Sequence, residues 1–149
     1  MGAPVLELLS RAAFERDVRR LDSRTAAHRN WTVLQAEYPV LDVILGHPTA
    51  APLRLRFTCV DWDDLPPSVE LLDAAGQHLS QAPPGAGGIF HPSPHPVTGR
   101  MFVCMRGTRE YHTHFSHVGE RWDGYRGQSG LDLLGILDQI WRCWKRAVG

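Results

Sequence analysis

The sequence predicts an α+β domain in which an antiparallel meander is set between two helices. Three observations carry that class: a helical stretch near the start, strict alternation at residues 53–60, and a second helical stripe over residues 130–147. At 149 residues the chain has the size of one domain, long enough to bury a core without metals or disulfides.

The elements follow in order. Residues 4–21 read as a helix, with Leu9, Phe14, Val18 and Leu21 on one face and Arg11, Arg16, Arg19 and Arg20 toward solvent. The polar stretch DSRTAAHRN then ends it. Two strands are expected in WTVLQAEY and VLDVIL, parted near Pro39. In LRLRFTCV, Leu53, Leu55, Phe57 and Cys59 alternate with Arg54, Arg56 and Thr58, the pattern of a half-buried antiparallel strand. SVELLD follows the turn-like DWDDLPP as a fourth strand. The stretch QAPPGAGGIFHPSPHPVTG is too rich in Pro and Gly for regular structure. In GLDLLGILDQIWRCWKRA, residues Leu134, Leu137, Trp141 and Trp144 recur at helical steps, with Asp132, Asp138, Arg142 and Lys145 more polar. Gly135 lowers that helix's intrinsic propensity by about 1 kcal/mol relative to Ala.

Composition excludes several classes. Sixteen basic residues balance sixteen acidic ones, so no net field draws the chain to nucleic acid or an anionic membrane. No apolar run is long enough to cross a bilayer, and a signal-peptide layout is not expected at the N-terminus. Cys59, Cys104 and Cys143 are odd in number and far apart, which points to a reducing compartment and a cytoplasmic protein.

The chemistry concentrates in FVCMRGTREYHTHFSH, residues 102–117. Thiolate, imidazole and carboxylate are the usual donors to zinc, which takes four ligands, or three and a water. Read as extended chain, Glu110, His112 and His114 share one side. A two-residue step of about 6.6 Å lets two imidazoles reach one ion. Glu110 and His114 would lie about 13 Å apart if straight, so either the segment bends or Glu110 acts by orienting a ligand or a metal-bound water. Gly107 supplies a tight reversal that returns this segment beside Cys104. His117 is an alternative ligand. His91 and His95 read as structural or exposed, Cys59 and Cys143 as packing residues, and Trp141 and Trp144 as anchors of a core or interface.

The order of motifs resembles that of ubiquitin-conjugating (E2) enzymes. Pro66-Pro67-Ser68-Val69 resembles their Pro-Pro lead into a strand, and Ile89-Phe90-His91-Pro92-Ser93 their His-Pro-Asn region. Gly99-Arg100-Met101-Phe102-Val103-Cys104 resembles the segment that ends on the active cysteine, while Trp122 and the helix from Leu131 resemble what comes after. The resemblance implies one UBC/E2-like domain over residues 1–149: N-terminal helix, four-stranded meander, long irregular active-site loop and C-terminal helix. It also makes the arginine-bearing first helix a possible surface for an E1-like activating enzyme. Cys104, Glu110, His112 and His114 are further similar to the Cys-Glu-His-His pattern of a predicted metal-binding family associated with prokaryotic ubiquitin-like conjugation systems. Two departures stand out. Ser93 replaces the asparagine that supports lysine-directed transfer, and the ExHxH segment after Cys104 is foreign to ordinary E2 proteins.

These readings imply a bacterial, E2-like component of a ubiquitin-like pathway that binds zinc through Cys104, Glu110, His112 and His114. Such a site is structural if closed, or hydrolytic if a water completes it. The alternative is an E2-type enzyme carrying a ubiquitin-like protein as a thioester on Cys104, with Glu110 or His112 as base. A third is an inert E2-fold adaptor. Metal coordination and thioester chemistry compete for the same sulfur.

Overall fold

The computed structural model describes residues 2–85 and 88–149. It is an α+β fold whose sheet has the order β1-β2-β3-β4, all antiparallel. The strands are β1 (Trp31–Glu37), β2 (Val40–Leu45), β3 (Leu53–Thr58) and β4 (Ser68–Leu72). Helices α1 (Gly2–Val18) and α2 (Ser23–His28) precede the sheet, and α3 (Arg109–Thr113) and α4 (Leu133–Val148) follow it. Positions 86 and 87 of the Pro/Gly-rich loop lie outside the described residues.

Alternation decides the sheet. Leu53, Leu55, Phe57 and Cys59 are all buried, and β2 matches them with Leu41, Val43 and Leu45. The register Leu41↔Phe57, Val43↔Leu55, Leu45↔Leu53 sets these side chains opposite one another on one face. On the other face Asp42 accepts a bidentate bond from Arg54 (2.9 and 2.8 Å) and a third from Arg56. Burial alone would push the Asp42 carboxyl up, but these guanidinium bonds hold it below the usual carboxylate range.

Helix α4 covers the inner face with Leu133, Ile136, Leu137, Ile140 and Trp144. The expected stripe is therefore turned: Leu137 and Trp144 point inward, while Leu134 and Trp141 sit half-buried at its margin. Apolar residues occur on both stripes, and packing on the sheet selects between them. Gly135 also has a positive reason. The N-cap Asp132 accepts its N–H at 2.8 Å, and a Cβ there would lie 2.6 Å from both the Asp132 carboxylate and Gly130 O.

Two expectations at the N-terminal end are corrected. Leu9 is exposed, whereas Phe14 is fully buried and Val18 and Leu21 pack at the edge of the core. The polar stretch after α1 contains α2, started by Asp22, whose side chain accepts the Arg24 N–H. A residue that sequence reasoning passed over ties α1 down. Buried Asp17 accepts the Trp62 indole N–H at 3.0 Å and the Leu133 N–H at 3.2 Å, joining α1, the turn after β3 and the start of α4.

Candidate functional site

The segment after Cys104 is a helix, which corrects the extended reading. Gly107 does make the reversal, at φ +105°, and a Cβ there would press on Ile136 at 3.1 Å. Thr108 then caps α3, its hydroxyl accepting from the Tyr111 N–H and donating to Val103 O. The sequence carried a signal for this, since a threonine followed by an acidic first turn is a helix start. In a helix, residues two apart diverge by about 200°. Glu110 and His112 accordingly face different ways.

Glu110 faces the sheet. Ser68 Oγ donates to its Oε2 at 2.6 Å and the Val69 N–H to its Oε1 at 3.0 Å. Arg109 reinforces that junction, its N–H reaching Pro67 O and its guanidinium Pro66 O. The Pro-Pro lead into β4 is thus the seat of α3. Burial pushes the Glu110 carboxyl up, against the lowering effect of its hydrogen bonds.

His112 faces a separate cleft of about 550 Å³, lined also by Leu65, Pro66, Val118 and Trp122. Its Nδ1–H donates to Glu120 O at 2.6 Å, and its Nε2 accepts the Gly107 N–H at 3.2 Å. Both ring nitrogens are therefore engaged, in the neutral form. Burial, the largest influence, lowers its pKa.

His114 ends α3 and lies at the centre of an aromatic group. Its ring stacks on Phe102 and Phe115 and comes within 5.5 Å of His91, 5.7 Å of His95 and 5.9 Å of His117, centroid to centroid. Burial and then these imidazole neighbours lower its pKa. Its Nδ1 bonds Ser116. His95, expected to be structural or exposed, is buried and structural: its Nδ1 accepts from the Val97 N–H and its Nε2–H donates to Glu110 O. His91 accepts the Ser93 N–H and stacks on Phe102 at 4.8 Å.

Cys104 follows the isolated bridge Phe90↔Val103, which with the Cys104 N–H to Ile89 O bond fixes its backbone. Cys104 is half-buried, unlike fully buried Cys59. Burial, then the charge of Glu120, pushes the Cys104 thiol up. Cys143 is half-buried at the edge of the core, and all three cysteines are free thiols.

Glu120 is the residue that sequence reasoning missed. Its Oε1 accepts from Arg106, Tyr111 Oη (2.9 Å) and Tyr125 Oη, and its Oε2 pairs with His117 Nδ1 at 2.9 Å. These bonds, led by those from His117 and Tyr111, draw its carboxyl down to about 2. The local signal for it is His117 three residues earlier, whereas Arg106, Tyr111 and Tyr125 meet it only when the loop closes over α3.

The donor set can now be tested against zinc. Glu110 and His112 open onto different cavities, with both oxygens of one and both nitrogens of the other already bonded. Cys104, Glu110, His112 and His114 do not fit a common ion in this arrangement. Among the described residues no three His, Cys, Asp or Glu side chains are grouped to hold one. No described helix is long and apolar enough to cross a membrane.

Comparison with curated proteins gives no match. A family model described as Y4jH-like, of the Y4jH family, matches residues 93–147. The chain is therefore similar to that family across the His-rich loop, α3 and α4, and the match leaves the sheet outside it.

Proposed function

We propose that this chain is an E2-like component of a cytoplasmic, bacterial ubiquitin-like conjugation pathway, and that Cys104 receives the C-terminus of a ubiquitin-like protein as a thioester. One observation carries the choice of Cys104 as carrier rather than ligand: Glu110 and His112, the residues that would share an ion with it, spend their donor atoms inside the fold. Cys104 is only half-buried, just beyond the Phe90–Val103 bridge. The helix–meander–loop–helix order and the free state of all three cysteines support the same reading.

The reaction is a thioester exchange. The Cys104 thiolate attacks the carbonyl of a thioester held by an E1-like activating enzyme, forming a new C–S bond. The old C–S bond breaks, and the departing thiolate takes up the proton that Cys104 lost. Cys104 is protonated at rest, so a partner that offsets the Glu120 charge on docking would speed the exchange. Ser93, exposed on the loop, has no amide, and transfer to lysine is no part of the proposal.

The test is incubation of the chain with its activating enzyme, ATP and the ubiquitin-like protein. A reductant-sensitive adduct is expected, lost in Cys104→Ala, retained in Cys143→Ser and made reductant-resistant in Cys104→Ser. A folded protein that forms no adduct removes this reading. One feature favours zinc as a second reading: His114 is ringed by three other imidazoles, and its Nε2 is not hydrogen-bonded among the described residues. Near-stoichiometric zinc in protein purified without added metal, abolished by His114→Ala, would favour it. Protein with neither adduct nor metal would be an inert adaptor.

A further inference from the structure

A second cleft, of about 730 Å³, lies between the α2–β1 turn, the β2–β3 hairpin and the end of α4. None of the residues around Cys104 lines it. It is built rather than incidental. Gly46 donates to Asn30 O at 2.9 Å and approaches so closely that a Cβ would lie 2.8 Å from that oxygen, which clips the hairpin to the turn. The volume falls within the usual range of small-molecule sites, about 300–1,000 Å³.

Its charge is one-sided in a chain whose charges balance. Arg29, Arg142 and Lys145 line it, and no Asp or Glu side chain does. Two of these cations are held in place from behind: Asp138 bonds Arg29 and accepts Arg142 Nε at 2.7 Å. The Arg29 guanidinium also lies 4.3 Å from the Trp141 ring centroid.

An oxygen position is already defined inside. His47 Nδ1 accepts the N–H groups of Thr49 (3.1 Å) and Ala50 (2.9 Å), so its proton resides on Nε2. That Nε2–H donates to Gly149 O at 3.2 Å, and Lys145 Nζ donates to the same oxygen at 2.7 Å. An ammonium and an oriented imidazole N–H converge on one oxygen atom, the geometry that favours an oxyanion. Trp141, on the cleft wall, has an indole N–H with no acceptor among the described residues.

We infer that this cleft binds a small oxyanion-bearing molecule, a phosphate or a carboxylate. One of its oxygens takes the place of Gly149 O between His47 and Lys145, within the positive surroundings of Arg29 and Arg142. The site is independent of Cys104 and of the thioester reading.

The test is a titration of the full, ¹⁵N-labelled chain at constant ionic strength with pyrophosphate, with citrate and with sodium chloride. The reporter is the Trp141 indole N–H, identified by its loss in Trp141→Phe. A saturating shift with pyrophosphate or citrate that chloride does not reproduce is expected, and the more effective of the two names the phosphate or carboxylate source. Lys145→Gln, at an exposed position, should weaken it on the order of tenfold, and His47→Gln should do likewise. Shifts that follow ionic strength alone, or saturation indifferent to Lys145→Gln, would overturn the inference.

Discussion

The meander and the loop–α3 segment are held together by different means. From β2 to β4 the backbone ladder and the buried side chains agree, and β1 joins them through its ladder with an irregularity between Val33 and Gln35. From Phe90 to Tyr125 the backbone makes one isolated bridge and a series of short-range turn and helix bonds, and side-chain bonds from Thr108, Glu110, His112 and Glu120 tie these turns together. The first arrangement resists substitution except in its core. The second depends on a few polar atoms bonded mostly within the loop, with Glu110 alone among these four reaching across to Ser68 and Val69 of β4.

The largest effect should come from the meander. Leu55 is fully buried between β2 and β4 in the shared core, so Leu55→Ala should cost about 2–5 kcal/mol and destabilise both regions together. Urea unfolding followed by Trp fluorescence and by far-UV circular dichroism should give one coincident transition. Transitions that separate would show that the two regions unfold independently.

Glu110→Ala should be smaller and local. It leaves the Val69 N–H and the Ser68 hydroxyl unpaired at the α3 junction, a cost of about 1–3 kcal/mol. Hydrogen exchange should rise in α3 and at Val69 while β2 and β3 stay protected. Glu110→Gln should restore most of the loss. It should also change the pH dependence. With the folded carboxyl pushed up, the folded protein keeps a proton that the unfolded chain gives up near pH 4.5. Stability contributed by this group is thus complete below that pH and declines as pH rises to the folded value. Glu110→Gln should flatten that decline, and an unchanged profile would sink the assignment.

How much of this was legible differs between the regions for a physical reason. Leu53, Leu55 and Phe57 announce β3 because alternation is local, and Ser68–Leu72 follows as its partner. The stripe of α4 was legible only to within a turn about its axis, since Leu134 and Trp141 are as apolar as Ile136 and Ile140. In the site, Cys104, His112 and His114 were singled out by residue type alone. Their relations were not legible, because a five-residue helix fixed by Thr108 and Pro67 replaces the extended chain. Asp17 acts mainly through Trp62 and Leu133, far away in sequence, while Glu120 had one local signal, His117 three residues before it, and its tyrosine partners come together only in the folded loop.

Glu120→Gln should separate the regions at acid pH. Its carboxyl, drawn down to about 2, contributes stability present above pH 4.5 and lost as pH falls through about 2. The group is only half-buried, so the contribution should be small and shrink further in high salt. Below pH 4.5 the wild-type protein should lose order first around Tyr111, His117 and Tyr125. Glu120→Gln should show less of this acid dependence by nuclear magnetic resonance of those rings. Equal pH dependence in both proteins would mean that the carboxylate does not organise the loop.

The smallest effect in energy is the most informative about chemistry. Burial and the Glu120 charge both keep the Cys104 thiol protonated at neutral pH. Alkylation of Cys104 by iodoacetamide should therefore be slower at pH 7 than that of an unstructured thiol with a pKa of about 8.5. The rate should keep climbing through pH 9, because only the thiolate reacts. Glu120→Gln should shift the whole profile to lower pH by removing one of the two causes. Glu110→Gln should leave it in place, since Glu110 opens onto a different cavity, beside Ser68 and Glu70. A wild-type profile that levels off below pH 8 would mean that neither burial nor Glu120 governs the sulfur. Equal shifts in the two variants would mean that α3 transmits charge across its width, and the separation of its two faces would no longer explain why Cys104 stands apart from Glu110.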